Sequence, residues 1–182
     1  TVDAVEIFDP VTNSFTAVGN MIFSRENHTA TLLETGAVLI AGGGTSSFYL
    51  RAEAEVFDPV SNTFSTVGSL AQARYQHTAA LLTDGRVLIA GGWADGRRLS
   101  SAEAYDPSTR AFTAVGGLAT ARSHSSATLL SDGRLLVSGG YSNTELRSTE
   151  LFDPATGTFG WRERLITNSN DGTSTPVCHG NR

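Results

Sequence analysis

The sequence contains no lysine: all thirteen basic residues are arginine. That bias carries no mechanism by itself. Cysteine is nearly absent too. With Cys178 alone, no intrachain disulfide can form and no clustered thiolate metal site is available, and the redox compartment stays open. No apolar run approaches the ~18 residues needed to span a bilayer, and the start shows no secretory leader pattern. Charge is sparse at 17% of residues, and the net value of −5 argues against nucleic acid or an anionic membrane as the main partner. There is no nucleophile elbow, phosphate loop or zinc motif. Residue 1 is Thr rather than Met, so the chain is expected to be processed or part of something longer.

What is present is a repeat. Apolar residues make up 40% of the chain and nineteen residues are glycine, a composition suited to a turn-rich all-β protein. An aromatic-Asp-Pro tripeptide occurs at Phe8-Asp9-Pro10, Phe57-Asp58-Pro59, Tyr105-Asp106-Pro107 and Phe152-Asp153-Pro154. A diglycine occurs at Gly42-Gly43, Gly91-Gly92 and Gly139-Gly140, and an arginine recurs at Arg25, Arg74 and Arg122. All three markers share a period of about 48 residues.

Each unit reads as four short strands. The first is His28–Leu33 or His77–Leu82, followed by a turn at Gly36, Asp84-Gly85 or Asp132-Gly133, where glycine accepts positive φ. The second strand is a continuous apolar run, Val38–Ala41, Val87–Ala90 or Leu135–Ser138, as expected of a strand buried on both faces. The third carries the acid and the aromatic, as in Glu6-Ile7-Phe8. Asp-Pro then opens a turn, in which Asp accepts a backbone hydrogen bond and Pro presets φ. Asn13, Asn62 and Gly157 suit the left-handed position that ends this turn. Arg110 does not, so a strained or different turn is expected in that copy. The fourth strand has a central Phe and closes at Gly19, Gly68 or Gly116.

Apolar strand, diglycine, acid, aromatic-Asp-Pro and downstream Phe together resemble the kelch family, over about residues 1–160 and most like its prokaryotic form. The resemblance implies an all-β fold, a β-propeller of four-stranded blades. Residues 1–19 read as a half blade, and 20–68, 69–117 and 118–160 as three blades. Residues 161–182 read as a degenerate, poorly ordered tail. Three and a half blades are expected to belong to a longer ring of six or seven, as in other kelch proteins, with self-association through unclosed blades as a consequence.

The resemblance implies a non-catalytic scaffold presenting loops to a protein or glycan. It implies no cofactor and no metal. The copper-and-Tyr-Cys arrangement of the galactose oxidase group is not matched, so an enzyme whose active residues lie outside this chain is the alternative. A secreted or cell-surface setting is favoured over the cytoplasm. The repeated Asp9, Asp58, Asp106 and Asp153 read as turn formers, the six diglycine residues as structural, and His28 and His77 as packing near arginine. The variable connection between second and third strands carries Phe48, Tyr49 and Arg51, then Trp93, Arg97 and Arg98, then Tyr141 and Arg147. Strand direction places it on the same face as Arg25, Arg74 and Arg122. Aromatic and arginine side chains are enriched at binding hot spots, so this set is the expected ligand face. The repeated arginines also read, alternatively, as bonded to backbone carbonyls.

Overall fold

A computed structural model describes residues 3–46 and 49–164. The described residues contain strands and no helix, so no helix is long and apolar enough to cross a membrane. Strands β1 (Ala4–Asp9) and β2 (Ser14–Asn20) form a two-stranded sheet. The first complete blade is β3 (Thr29–Leu32), β4 (Val38–Ala41), β5 (Ala54–Asp58) and β6 (Thr63–Thr66). The second is β7 (Thr78–Leu81), β8 (Val87–Ala90), β11 (Ala102–Asp106) and β12 (Ala111–Val115), with a small ribbon of β9 (Trp93–Ala94) and β10 (Arg97–Arg98) inserted. The third is β13 (Ser126–Leu129), β14 (Leu135–Ser138), β15 (Ser148–Asp153) and β16 (Thr158–Arg164). Every pairing is antiparallel, and within each sheet the paired strands follow one another in the chain apart from β8 and β11, which the ribbon separates. Strand β16 runs beyond the expected blade limit at residue 160, and the rest of the expected tail lies outside the described residues.

The apolar second strands are buried on both faces because each blade is covered by one neighbour upstream and one downstream. Leu39 and Ala41 of the first blade pack with Val87, Ile89 and Tyr105 of the second. Leu88 and Ala90, on the other face of the second blade, pack with Leu135, Val137 and Phe152 of the third. Val38, Ile40 and Phe57 of the first blade meet Val5 and Val18 of the half blade. The core is therefore three junctions between successive sheets. Strand β8, sandwiched, is buried throughout, whereas β14 alternates, because Leu136 and Ser138 face downstream where no described blade follows. Strands β3, β7 and β13 contact one another in turn along one side, and the described sheets do not close into a ring.

The diglycines sit at these junctions. Gly43 N–H donates to the carbonyl of Arg74 in the next blade at 2.8 Å, and Gly92 N–H to that of Arg122 at 2.8 Å. A Cβ on Gly42 would lie 2.6 Å from the Arg74 oxygen, and one on Gly91 closer still to that of Arg122. The φ values are +63° and +66° as well, so both close approach and left-handed backbone demand glycine here.

The Asp-Pro turns form as the sequence suggests. Asp9, Asp58 and Asp106 each accept the N–H two residues on at 2.8 Å, and Asp153 does so at 2.9 Å. Those backbone bonds hold the Asp9 and Asp58 carboxyls below the ordinary range. Arg110 adopts φ +57°, like Asn13 and Asn62 at +55°. Of the strained or different turn expected there, the strained one occurs.

Candidate functional site

In each blade the residue after the diglycine forms a backbone bridge to the connection that leads into the first strand. Gly44 bridges Glu26, Trp93 bridges Tyr75 and Tyr141 bridges Ser123. The two loop sets do share one face. In the second blade the loop is a ribbon with Arg97 opposite Ala94 and Arg98 opposite Trp93. Its turn, Asp95 at φ +50° and Gly96 at +75°, is the Asp-Gly hairpin signal. The signal is legible in the sequence, and the variable connection is here an ordered hairpin.

The Arg98 guanidinium stacks 4.4 Å from the Trp93 ring centroid and 4.5 Å from that of Tyr141. Trp93 and Arg98 belong to the second blade and Tyr141 to the third, so this stack ties two blades together. Each such contact is worth about 0.5–1 kcal/mol at exposed sites. Arg51 lies 5.2 Å from Phe23 and 5.3 Å from Tyr49, with its Nε on the Ser24 carbonyl at 3.3 Å and Nη1 on Glu53 at 3.4 Å. Between the stacks runs a groove of about 480 Å³, lined by Tyr49, Leu50, Ala73, Tyr75, Trp93, Asp95 and Gly96. Tyr49 is 60% exposed and Tyr141 39%. Arg97 and Arg147 are exposed. Phe48 lies outside the described residues.

Arg25, Arg74 and Arg122 do not belong to this surface. They are 2%, 0% and 0% exposed. Arg74 Nη1 donates to the carbonyls of Gly91 and Ser101, both at 2.9 Å, and Nη2 to Glu103 Oε1 at 3.0 Å. Arg122 does the same with Gly139, Ser148 and Glu150, and Arg25 with Gly42, Glu53 and Glu55. Each carboxylate also accepts an N–H from the chain ahead of its arginine: Ile22, Ala71 or Ala119. A guanidinium with its donors spent on carbonyls and a carboxylate has none left for a ligand. The acid of the third strand, 30, 29 and 28 residues after each arginine, is the partner that sequence reading left unassigned.

His77 is buried, with Nε2 2.8 Å from Thr29 Oγ1 of the preceding blade. Burial first, then the Arg74 and His28 charges, push its pKa down to about 3. His28 is shifted down as well, by burial and by Arg25. On the opposite face a groove of about 430 Å³ is lined by Glu34, Asp84, Arg86 and Asp106 among others, with Arg86 and Asp84 paired at 2.6 Å. Among the described residues no group of three His, Cys, Asp or Glu side chains is placed to hold a metal.

The profile of the Kelch motif matches residues 74–118, from the arginine of the second blade to the leucine that leads into the third. The chain is built of kelch repeats. The other two complete kelch blades reproduce the same strand order, arginine–glutamate pair and diglycine. No curated protein matches the chain.

Proposed function

We propose that this kelch module is a non-catalytic binding scaffold whose loop face takes a protein ligand, in the form of an extended segment laid along the Tyr49–Tyr75–Trp93 groove. The observation that supports this reading most is the groove itself. It is an aromatic trough between two blades, with Tyr49 largely exposed and the exposed Arg97 following its lining residue Gly96 in the chain. Tyr and Trp bring large contact area at low entropic cost, and loops on a rigid scaffold commonly carry function. Arg97 adds a planar donor fork for a carboxylate. The division into a half blade and three blades is part of the same proposal, because the groove lies at the seam of the first two blades. A glycan would use the same aromatic platforms.

The test is an array of peptides and glycans probed with the folded chain, followed by affinity measurement on the best hit. Tyr49→Ala and Arg97→Ala are each expected to weaken capture roughly tenfold, as for truncation of a hot-spot side chain, with an unchanged melting temperature. Full affinity in both variants would place the ligand elsewhere, and a hit confined to glycans would replace the protein reading with a carbohydrate one.

A further inference from the structure

Two arginines of the loop face are gripped by aromatic rings from two sides, and only one of them has its donors occupied. Arg51, between Phe23 and Tyr49, donates to the Ser24 carbonyl and to Glu53. Arg98 lies between Trp93 and Tyr141 at 4.4 and 4.5 Å, and no hydrogen bond or ion pair leaves its guanidinium among the described residues. Its Nε is enclosed and unpartnered. Nη1 and Nη2, equally unpartnered, are not enclosed, so the outer end of the fork is open.

Backbone fixes both rings. Trp93 exchanges hydrogen bonds with Tyr75 at 2.8 and 3.2 Å, and Tyr141 does so with Ser123 at 2.8 and 3.0 Å. Arg98 stands opposite Trp93 in the ribbon, and the next residue, Leu99, donates its N–H to the Gly92 carbonyl at 2.8 Å. An arginine normally loses rotamer freedom when it captures a ligand; here the stack has ordered the side chain beforehand. Holding two blades together does not require idle donors. An enclosed N–H without an acceptor is unfavourable, and a side chain that merely packed here would do better without it.

We propose that Arg98 is a receptor for a single carboxylate, taken end-on by Nη1 and Nη2 at the seam of the second and third blades. The proposal rests on the reading of the loop face as a binding surface and names an anionic group of its ligand, an acidic side chain or a chain terminus. A planar fork matches the two oxygens of a carboxylate, and stacking on both faces leaves the in-plane edge available. Local charge favours a monoanion over a phosphate. Asp95 sits in the ribbon turn, Glu145 stands opposite Tyr141, and no second arginine joins the stack among the described residues. Trp93 also lines the groove, so the receptor and the trough share one ring.

The experiment titrates the full chain with propionate at constant ionic strength and follows the arginine side-chain N–H signals by nuclear magnetic resonance. The pH is slightly acidic, where these protons exchange slowly and the carboxylate stays ionised. Arg97 and Arg147, exposed and unstacked, are references in the same sample. Arg98 should saturate at a concentration roughly tenfold lower than either, because its side chain is already ordered. Propionamide, of the same shape without the charge, should leave the Arg98 signals in place. Tyr141→Ala should return Arg98 to the level of the references. Tyr141 is 39% exposed, so its replacement spares the fold, and the comparison within the parent decides the matter even without it. Acetyl-glutamate amide and acetyl-alanine then separate the two carboxylate sources, the tighter of them naming the group. An equal response of the three arginines, a shift caused by propionamide, a tighter response to inorganic phosphate than to propionate, or an Arg98 response unaltered by Tyr141→Ala would each overturn the proposal. These probes are too small to fill the groove, so such a failure is separable from failure of the peptide array.

Discussion

At Arg110 a long charged side chain occupies a left-handed position that Asn13, Asn62 and Gly157 fill elsewhere. The strain, about 1–2 kcal/mol for a residue with a Cβ, is offset by what the residue reaches. Its Nη2 donates to Ser65 Oγ at 2.9 Å and to the Thr66 carbonyl at 3.1 Å in the preceding blade, and its own carbonyl accepts from Gly68 at 2.9 Å. A tertiary contact overrides a local preference, which is why the sequence alone left a strained and a different turn both open. The diglycines allow a sharper test at the same scale. Gly91→Ala should cost about 3 kcal/mol or more, because its Cβ meets the Arg122 carbonyl in a left-handed backbone. Gly139→Ala should cost only about 1 kcal/mol, since the nearest atom is the Leu146 oxygen at 3.7 Å and φ alone is strained. Denaturant unfolding of the two variants measures both. Equal costs would mean that the blade junction contributes nothing to the glycine requirement.

Among the elements, the four strands of each repeat were legible because their signals are local: an apolar run, a glycine turn, an Asp-Pro turn. The buried arginine–glutamate pairs were not, although both residues recur in the sequence. The partners lie some thirty residues apart, and only the folded blade brings them within 3 Å. Exposure of the arginines was the natural inference from a loop position, and their interior placement corrects it. The hydrogen bonds from Gln76 N–H to the Asn27 carbonyl at 3.1 Å and from His124 N–H to the Gln76 carbonyl at 2.9 Å left no sequence trace either. They run from blade to blade through residues at φ +54° to +55°. Beside them lies His77, whose titration gives these junctions a pH dependence. Its pKa falls from 6.5 to about 3 on folding. Below pH 6.5 the unfolded chain binds a proton that the folded chain refuses, so stability declines as pH falls toward about 3, by up to about 1.4 kcal/mol per unit. Ser125 is the equivalent residue in the third blade, so His77→Ser is the natural control. Melting temperatures between pH 7 and pH 4.5 should fall more steeply in the parent than in the variant. Parallel slopes would contradict the neutral buried imidazole.

At the scale of the whole molecule, two faces of the described blades are exposed. Downstream, Leu129 is 42% exposed, and Leu136 and Leu151 are half-buried; upstream, Phe8 and Phe15 are 45% and 67% exposed. The internal junctions pair a downstream face of the first kind with an upstream face of the second. A head-to-tail contact between copies would bury both, and such contacts propagate unless they close. Sedimentation at rising concentration should therefore show an increasing average mass, and Phe15→Ser should suppress it. A monomer at all concentrations would mean that these faces do not seek each other. The proposed division of labour among the arginines, buried ones holding the blades and exposed ones serving the face, is tested by one thermal unfolding comparison. Arg74→Ala strands the buried Glu103 and should lower the melting temperature by on the order of 10 °C, from about 3–5 kcal/mol lost with an uncompensated charge. Arg97→Ala, at an exposed position, should leave it unchanged to within about 1 °C, because surface substitutions stay near ±0.5 kcal/mol. Equal midpoints for the two variants, or a larger loss in Arg97→Ala, would contradict the assignment of the repeated arginine to structure and of the loop arginine to binding.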